Sequence, residues 1–354
     1  MENTTSLHPV VAEDLSAIIE APLDWDRFAG KTVLVTGASG FLPAYMVETL
    51  LFLNEKKNLG CRVVGLVRNM EKARTRFFLY QGRDDLHLIK GDVSQEIQWP
   101  MRCDFIVHAA SQASPKFYGT DPVGTMSANL LGSYHLLNQA KEWAVDGFLF
   151  FSSGEVYGQV SPDKIPTRES DYGYIDITNS RSCYAEGKRA AETLGVSYAS
   201  QFGVPFKIVR PFHTYGPGMA LDDGRVFADF VRDVIHSKNL VLQSDGKAIR
   251  AFCYLSDAVR GFFTVLLKGQ TGAAYNVGNP DGAISIGELA NLLVGLFPEK
   301  KLKVERVHTL TEGYLPSPIS INVPNVDRLQ QLGWTPSYLA REGFLRTIQS
   351  FSQP

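Results

Sequence analysis

The stretch that most constrains the fold of this chain is KTVLVTGASGFLPAYMVETLL, residues 31–51. Its β-branched start, Thr32–Val35, predicts a buried strand, and the segment from Phe41 onward has a helical pattern. Between them, Gly37 allows a sharp turn of the backbone and Gly40 allows a phosphate group to come close. A strand, a glycine-rich turn and a helix N-terminus predict the first half of a dinucleotide-binding βαβ unit.

Five residues of this turn are expected to contact a dinucleotide cofactor: Gly37, Ser39, Gly40, Phe41 and Leu42. Pro43 stands where the usual fingerprint has a third glycine. Because proline is accepted in the first turn of a helix, the helix is still expected, with an altered packing against the strand.

Composition argues against several classes of protein. The chain has 354 residues, 20% of them charged, and a formal net charge of −2 without a basic block, so nucleic acid is not expected as the main partner. No apolar run approaches the length of a membrane span. The acidic, polar N-terminus does not resemble a signal peptide, and the four cysteines are scattered. We therefore expect a cytoplasmic protein with free thiols and no metal site.

The ends of the next predicted strands supply further candidate cofactor ligands. The strand Arg62–Val67 is followed by Arg68, at the point where an acidic residue would bind the ribose hydroxyls of NAD. Arg68 could instead clamp the 2′-phosphate of NADP, stack on adenine, or be an ordinary surface arginine. The strand Leu86–Lys90 leads to Asp92, which could accept the adenine amino group or form a turn.

A further strand, residues 104–108, ends in three small residues that let a cofactor lie against the backbone. These are Ala109, Ala110 and Ser111. His108, just before them, is expected to be structural.

The strongest catalytic signal is the pair Tyr184 and Lys188, which are four residues apart and therefore on one face of a predicted helix. A lysine ammonium near a phenol stabilises the phenolate and lowers its pKa. Such a tyrosine can take a proton from a substrate hydroxyl while hydride leaves the same carbon. Ser153, after the strand Phe148–Phe151, could hydrogen-bond the same oxygen.

These motifs resemble the extended short-chain dehydrogenase/reductase proteins that modify nucleotide sugars, over residues 31–348. Within that family they are most similar to the UDP-glucuronate decarboxylases. The matching segments are His108–Pro115, Glu155–Gly158, Arg181–Arg189, Asp223–Val226 and Arg250–Phe252.

The resemblance implies roles for the candidate residues. Tyr184 would be the catalytic base, Lys188 its partner and a ribose ligand, and Ser153 the second hydroxyl. Glu155 would act on the sugar near C5. The remaining implied contacts are Pro211 and His213 with the cofactor, and Ser114, Arg225 and Arg250 with the substrate.

The sequence departs from the family pattern at three positions. Besides Pro43, Gly154 replaces the Ser of decarboxylases or the Asp of sugar 4,6-dehydratases. Asn322 stands where an arginine that grips a pyrophosphate is expected, so the nucleotide anchor would depend more on Arg225 and Arg250, both capable of bidentate phosphate contacts.

The predicted fold is α/β: a Rossmann-type doubly wound parallel sheet with a smaller C-terminal α/β substrate lobe, and a cleft between them for the sugar. Residues 1–29 would be an N-terminal extension. The dinucleotide-binding domain would comprise 30–215 plus 251–278, and the substrate-binding lobe 216–250 plus 279–354.

The leading functional hypothesis is oxidation of a nucleotide sugar at C4 as the first step of a decarboxylation. A 4,6-dehydratase is weakened by Gly154, which cannot donate a proton to a leaving hydroxyl. A C4 epimerase leaves Glu155 unexplained, and a non-catalytic cofactor-sensing protein is a remote alternative. NAD is favoured narrowly over NADP, because the reaction returns its hydride internally. Neither the sugar nor the base of the nucleotide follows from the sequence.

We also expect a homodimer. The predicted helices 124–144 and 184–202 carry apolar residues beyond one core-facing stripe, and in this family the equivalent helices pair across a two-fold axis. The residues concerned are Leu130, Leu131, Leu137, Leu194 and Tyr198.

Overall fold

The computed structural model describes residues 6–307 and 319–352. The strands in this part of the chain are β1 (Thr32–Thr36), β2 (Arg62–Val67), β3 (Leu86–Lys90), β4 (Phe105–His108), β5 (Gly147–Phe151), β6 (Phe206–Pro211), β7 (His213–Tyr215), β8 (Leu240–Leu242), β9 (Ile249–Tyr254), β10 (Ala274–Val277), β11 (Ala283–Ser285), β12 (Val304–Arg306) and β13 (Ile321–Asn322).

The helices of the same residues confirm the main helical predictions. They are α1 (Pro9–Ile19), α2 (Phe41–Lys57), α3 (Met70–Arg76), α4 (Pro115–Thr120), α5 (Pro122–Trp143), α6 (Cys183–Phe202), α7 (Val226–Ile235), α8 (Leu255–Lys268), α9 (Ile286–Leu296), α10 (Asp327–Gln330) and α11 (Ala340–Gln349). Within the described ranges, none of these helices has the length and apolarity needed to cross a membrane.

Seven strands form a central sheet in the order β10-β6-β5-β4-β1-β2-β3, and every pairing in it is parallel. The chain builds outward from β1 through β2 to β3, and then starts again on the other side of β1 with β4. Where the direction of building reverses, neighbouring loops separate and leave a crevice at the carboxyl ends of the strands. The predicted doubly wound parallel sheet is therefore confirmed.

Helices cover both faces of this sheet, which explains why its central strands are continuous apolar runs. On one face, α2 and α8 bury Leu50 and Phe262 in a common core. On the other face, α5 and α6 bury Leu136 and Ala191. Every residue of β1, β4 and β5 is buried.

A smaller set of elements lies beyond the carboxyl edge. There β9 pairs with β7, β11 and β13, while β8 pairs with β12. Helices α7, α9 and α11 pack around these strands through an apolar core that includes Phe230, Leu289 and Phe344. Strands β7 and β9, which the predicted ranges assign mainly to the first lobe, belong to this second sheet.

The N-terminal segment packs onto the body through a buried carboxylate. Asp14, on α1, is fully buried and accepts hydrogen bonds from Tyr45 of α2 at 3.2 Å and Tyr254 of β9 at 2.7 Å. Arg346 of α11 adds a charged hydrogen bond at 2.7 Å. One side chain of the predicted extension thus contacts helix α2 beside the central sheet, strand β9 of the second sheet and the last helix.

Candidate active site

A cleft of about 510 Å³ opens at the carboxyl edge of the central sheet. Its lining includes all the residues predicted as catalytic or cofactor-binding, together with Ser114 and Arg225. Arg250 is the exception among the predicted site residues, since it does not line the cleft. The structure therefore brings together a set that is spread over nearly 190 residues of sequence, from Gly37 to Arg225.

The glycine-rich turn is packed tightly against the end of β4. Gly37 has a φ of 65°, in the left-handed region that favours glycine. A Cβ atom at Gly37 would lie 2.8 Å from the Cα atom of Ala110, closer than real Cβ contacts allow. The turn is closed by a 2.8 Å hydrogen bond from the Gly40 amide to the Gly37 carbonyl, and α2 begins at the next residue.

Helix α2 begins at Phe41 although Pro43 replaces the third glycine, so the helix survives as expected. Its N-cap, Gly40, makes no side-chain capping bond. In this first turn Phe41 and Leu42, which line the cleft, have N–H groups without a partner four residues earlier in the helix, whereas Pro43 has no N–H. Such N–H groups can bind a phosphate group.

The end of the cleft beside β2 and β3, where the adenosine of a cofactor was predicted, is lined by Arg68, Asn69, Lys72 and Asp92. The Asp92 carboxylate accepts hydrogen bonds from the amide and hydroxyl of Ser94, at 2.9 and 2.8 Å, which makes it a turn aspartate as well as a lining residue. Arg68 is exposed. An exposed cation at the end of β2 is available to a phosphate or to a ring.

A carboxylate outside the lining of the cleft feels the charge of Arg68. Hydrogen bonds from Gln112 and from the Gly124 amide, with a smaller contribution from the charge of Arg68, hold the pKa of Asp121 below its usual value. Arg68 therefore lies within electrostatic reach of an acidic residue contributed by the loop before α5.

Tyr184 and Lys188 lie on one face of α6, as predicted, with the ammonium nitrogen 5.8 Å from the centre of the tyrosine ring. The Lys188 ammonium donates a 2.6 Å hydrogen bond to the carbonyl oxygen of Phe151. Ser153, two residues further along, lies near Tyr184 and favours the ionised form of its phenol. The end of β5 and the start of α6 thus hold the three predicted groups together.

The protonation of this group differs from what we expected. Burial raises the pKa of Tyr184 to about 12, and the nearby Ser153 hydroxyl and the charge of Arg225 oppose that rise. Burial also lowers the pKa of Lys188 to about 7. We expected Lys188 to lower the pKa of Tyr184. Among the residues of the protein itself this expectation was wrong, because desolvation by burial is the largest influence on the pKa of both side chains.

The turn Gly154–Tyr157, a 3₁₀ helix, places Glu155 in the cleft beside Ser153. The Ser153 hydroxyl caps this turn by accepting a hydrogen bond from the Glu155 amide at 3.2 Å. A Cβ atom at Gly154 would lie 3.2–3.3 Å from three ring carbons of Phe212. A side chain at position 154 would therefore require the Phe212 ring to shift by a few tenths of an ångström.

Arg225 connects the two sides of the cleft. Its guanidinium donates to the carbonyl of Ala113 at 3.1 Å and pairs with Asp223 at 3.2 Å. Ser114 donates to the Asp223 carbonyl at 2.7 Å. A loop of the central sheet and a loop of the smaller lobe are thereby joined beside Tyr184.

Arg250 lies just behind the cleft rather than in it. Its guanidinium donates to the carbonyls of Ile319 at 2.8 Å and Ser320 at 3.1 Å. In the register of β9 and β13 it lies opposite Asn322, which does line the cleft. A direct contact of Arg250 with the substrate remains a prediction.

Sequence reasoning missed two aromatic walls of the site. Tyr118 stacks on Tyr184, with ring centres 5.1 Å apart and an interplanar angle of 18°, and its hydroxyl donates to the Ala113 carbonyl at 2.9 Å. Phe212 covers Gly154. The only sequence signal for Phe212 was its position next to His213. Tyr118 lies outside the segments that resemble the family.

Several buried polar atoms of the cleft fit a bound dinucleotide. The Ser111 hydroxyl, the Ser152 hydroxyl and the Nδ1 atom of His213 have no hydrogen-bond partner among the described residues. Buried polar groups are normally satisfied. Together with the glycine turn and the open N-terminus of α2, these atoms offer both donors and close backbone approach to a cofactor.

The parallel sheet, the glycine-rich turn and the Ser153, Tyr184 and Lys188 cluster define a dinucleotide-dependent enzyme of the short-chain dehydrogenase/reductase class. A model of the NAD dependent epimerase/dehydratase family matches residues 33–278, and the chain belongs to this family. The cofactor of the family is a nicotinamide adenine dinucleotide.

Curated relatives extend the comparison. UDP-glucuronic acid decarboxylase 6 of Arabidopsis thaliana is 35% identical over 328 residues, which cover 91% of this chain and 90% of the relative. UDP-glucuronic acid decarboxylase 1 of Danio rerio is 31% identical over 325 residues, covering 91% and 73%. The resemblance seen in the sequence motifs thus extends over most of both chains.

Solved structures support the fold. UDP-glucuronic acid 4-epimerase from Bacillus cereus, in complex with UDP-glucuronic acid and NAD, has a TM-score of 0.73 at 22% identity, covering 90% of this chain and 98% of that chain. The dTDP-glucose 4,6-dehydratase from Bacillus anthracis, in complex with NAD, has a TM-score of 0.75 at 20% identity, covering 91% and 96%.

Proposed function

We propose that the protein decarboxylates a UDP-hexuronic acid of the glucuronate type, by way of oxidation at C4. The observation that carries the proposal is Gly154, packed beneath Phe212, which places no side-chain acid between Ser153 and Glu155 in the cleft. A decarboxylation needs no acid to expel a leaving group. The identity of 35% to a plant UDP-glucuronic acid decarboxylase over most of both chains supports the same reaction.

In this proposal the chain's residues position the substrate and move one proton. The bound nicotinamide supplies the oxidation of C4 and its later reduction. Tyr184 takes the proton of the C4 hydroxyl, and Ser153, which lines the cleft near Tyr184, orients the same oxygen. Lys188 would hold the cofactor ribose. The burial of Tyr184 and Lys188 excludes water that would compete for these contacts.

The remaining chemistry belongs to the sugar. A ketone at C4 next to a carboxylate on C5 is a β-keto acid. When the bond from C5 to the carboxylate breaks, CO₂ leaves and the electron pair moves into an enolate at C4 and C5. A proton from solvent then adds to C5. Glu155, which lines the cleft, would orient the ring or a water molecule near that carbon.

A 4,6-dehydratase is the second candidate, and the position of Glu155 favours it. Glu155 would abstract the C5 proton in that reaction. Another group or a water molecule would then have to protonate the leaving hydroxyl, because Gly154 cannot. An epimerase and a cofactor sensor remain weaker alternatives, since neither uses Glu155.

Isotope labelling separates these reactions. In D₂O, we expect a UDP-hexuronic acid to release CO₂ and to give a pentose with one deuteron at C5. A dehydratase would be inert towards the acid and would convert a neutral nucleotide hexose to a 4-keto-6-deoxy sugar. An epimerase would introduce no deuterium at C5. Mass spectrometry and NMR of the products decide, and an inert acid together with a 4-keto product from the hexose would contradict decarboxylation.

For the cofactor we propose NAD. The reaction returns its reducing equivalents to the same sugar and needs no separate reducing pool. Arg68 and Lys72 line the end of the cleft beside β2 and β3 and would suit a 2′-phosphate, so the competing choice is NADP. The nucleotide released when the purified protein is denatured decides between them by its mass.

We propose that the enzyme is a homodimer joined through α5 and α6. These helices expose Met126, Leu131, Tyr134, Val196 and Phe202, and the exposed fractions of Leu131 and Tyr134 are 45% and 48%. Of the residues named from the sequence, Leu137 and Tyr198 are instead buried in the core, and Leu130 and Leu194 are partly buried. That part of the sequence interpretation was wrong, because on both helices the stripe of residues that packs into the core is wider than we assumed.

Light scattering at micromolar concentration tests the dimer. We expect twice the chain mass of 39.2 kDa. Replacing Leu131 and Tyr134 by Asp should give the monomer mass without loss of helix signal in circular dichroism, because both side chains are exposed and burying a carboxylate at the interface is costly. A monomer mass for the unmodified protein would contradict the proposal.

Two further proposals concern organisation and location. We propose that the smaller lobe, 216–250 plus 279–354, binds the substrate while 30–215 plus 251–278 binds the cofactor. A cytoplasmic location is supported by the free state of all four cysteines, of which Cys61, Cys103 and Cys253 are buried.

A further inference from the structure

A buried arginine behind the cleft joins the two elements that carry the catalytic residues. Arg210, in β6, is 2% exposed. Its guanidinium forms a bidentate pair with the carboxylate of Glu192, with N–O distances of 2.9 and 2.6 Å. Glu192 belongs to α6, the helix of Tyr184 and Lys188.

The other edge of the same guanidinium contacts the turn that carries Glu155. One nitrogen donates to the hydroxyl of Tyr157 and to the carbonyl of Glu169, both at 2.9 Å. Tyr157 ends the turn Gly154–Tyr157, and its hydroxyl donates to Asn276 of β10 at 2.5 Å. Strand β6, helix α6 and the turn Gly154–Tyr157 therefore meet at the buried guanidinium of Arg210.

Glu192 lies one helical turn from Lys188, and its negative charge acts on the ammonium. The other titratable groups that face Lys188 are Tyr184 on the same helix and His108 on β4. His108 is buried, its Nδ1 atom lies 2.9 Å from the Thr36 hydroxyl, and its pKa is lowered to about 3, so it is neutral. On the β5 side, the Lys188 ammonium donates to the Phe151 carbonyl and lies over the ring of Phe150, 4.8 Å from its centre.

We propose that Arg210 and Glu192 form a positioning pair for the reaction: Arg210 holds the turn of Ser153 and Glu155 against α6, and Glu192 sets the electrostatic environment of Lys188. The role in turnover rests on the proposed function. The electrostatic role does not, because Lys188 can be observed without substrate.

A buried ion pair is suited to this role. Removing one partner leaves an uncompensated charge and is strongly destabilising, whereas removing both is often tolerated. The pair also fixes direction, since a bidentate contact between a guanidinium and a carboxylate specifies their relative orientation. Neither Arg210 nor Glu192 lines the cleft, so both would act through Ser153, Glu155 and Lys188.

The test uses three variants of the full chain: Glu192→Gln, Arg210→Met, and the two combined. The titration midpoint of Lys188 is followed by ¹³C NMR of labelled lysine, with the signal assigned by its loss in Lys188→Met. In the unmodified protein we expect a midpoint near the lowered pKa of about 7. Glu192→Gln should move the midpoint down by on the order of 1 pH unit, because a stabilising negative charge is lost.

The other variants should follow in a fixed order. Arg210→Met leaves the Glu192 charge unopposed and should move the midpoint up, if this variant folds. The double variant should lie between the two single variants, and its kcat should fall by about 10–100-fold because the turn is no longer held in place. Rescue of turnover by Arg210→Lys should be incomplete, since a lysine cannot reproduce the bidentate contact.

A second bidentate pair, with a buried carboxylate and a half-buried guanidinium, provides the control. Arg76 of α3 binds Glu48 of α2 with two contacts of 2.7 Å. Arg76→Met combined with Glu48→Gln should leave the Lys188 midpoint unchanged.

An unchanged midpoint in Glu192→Gln, or wild-type turnover in the double variant, would overturn the positioning pair. If the unmodified enzyme turned over no nucleotide sugar, the proposed function would fail, while the titration would still decide the electrostatic role.

Discussion

Replacing Tyr184 by Phe is expected to lower kcat by roughly 10²–10⁴-fold, the usual contribution of a positioned acid–base group. The substitution removes only the hydroxyl and keeps the ring that stacks on Tyr118. Burial raises the pKa of this phenol to about 12, so in the wild-type enzyme a higher pH favours the phenolate and faster proton removal. The phenylalanine variant should lack that rise of kcat with pH.

Tyr198→Phe is the matched control for this experiment. Tyr198 lies on the same helix, and its hydroxyl donates to Asn138 at 2.7 Å, outside the cleft. Steady-state kinetics of both variants, with cofactor content measured on the same preparations, separates loss of chemistry from loss of binding. Turnover of Tyr184→Phe close to that of Tyr198→Phe would remove Tyr184 from the role of base.

Replacing Gly37 by Ala is expected to strip the protein of its cofactor. Two costs add at this position: a φ of 65° disfavours a Cβ by about 1–2 kcal/mol, and the Cβ would lie 2.8 Å from the backbone of Ala110. Relief of the clash must move the turn or the end of β4, at a further cost of about 1–3 kcal/mol. If this free-energy cost is taken from cofactor binding, the affinity for the cofactor drops by about 10- to 100-fold.

Gly60 offers a control with the same backbone strain and no clash. Its φ is 63°, and nothing lies within 4 Å of a Cβ added there. Gly60→Ala should lower the unfolding temperature slightly and retain bound cofactor. Equal cofactor content in the two variants, measured by the absorbance of the released nucleotide, would contradict the tight approach of the turn to β4.

The local features of this protein were readable from sequence because they depend on residues close together in the chain. The β1–turn–α2 unit requires glycine at fixed positions, and Tyr184 and Lys188 share a helical face through their spacing alone. The strands of the central sheet were recognised for a similar reason, since strands covered on both faces are continuous apolar runs.

The features that the sequence could not settle, or that we misjudged from it, depend on distant packing. Arg250 carries a charge suited to phosphate, but whether it faces the cleft is decided by the carbonyls of Ile319 and Ser320, 69 and 70 residues away. The raised pKa of Tyr184 follows from burial by elements such as α4, which spacing on α6 does not reveal. Leu137 and Tyr198 were taken for surface residues, although α5 and α6 pack them into one core.

The buried carboxylate of Asp14 has a consequence for synthesis on the ribosome. Its ionic partner, Arg346, is 332 residues further along the chain, so α1 leaves the ribosome long before that cation exists. Contacts between such distant residues form only after the intervening chain has been made and folded. Tyr45 and Tyr254 become available earlier, and translation of α11 then completes the set of groups around Asp14. The nascent enzyme therefore acquires its full N-terminal anchoring only with the last helix.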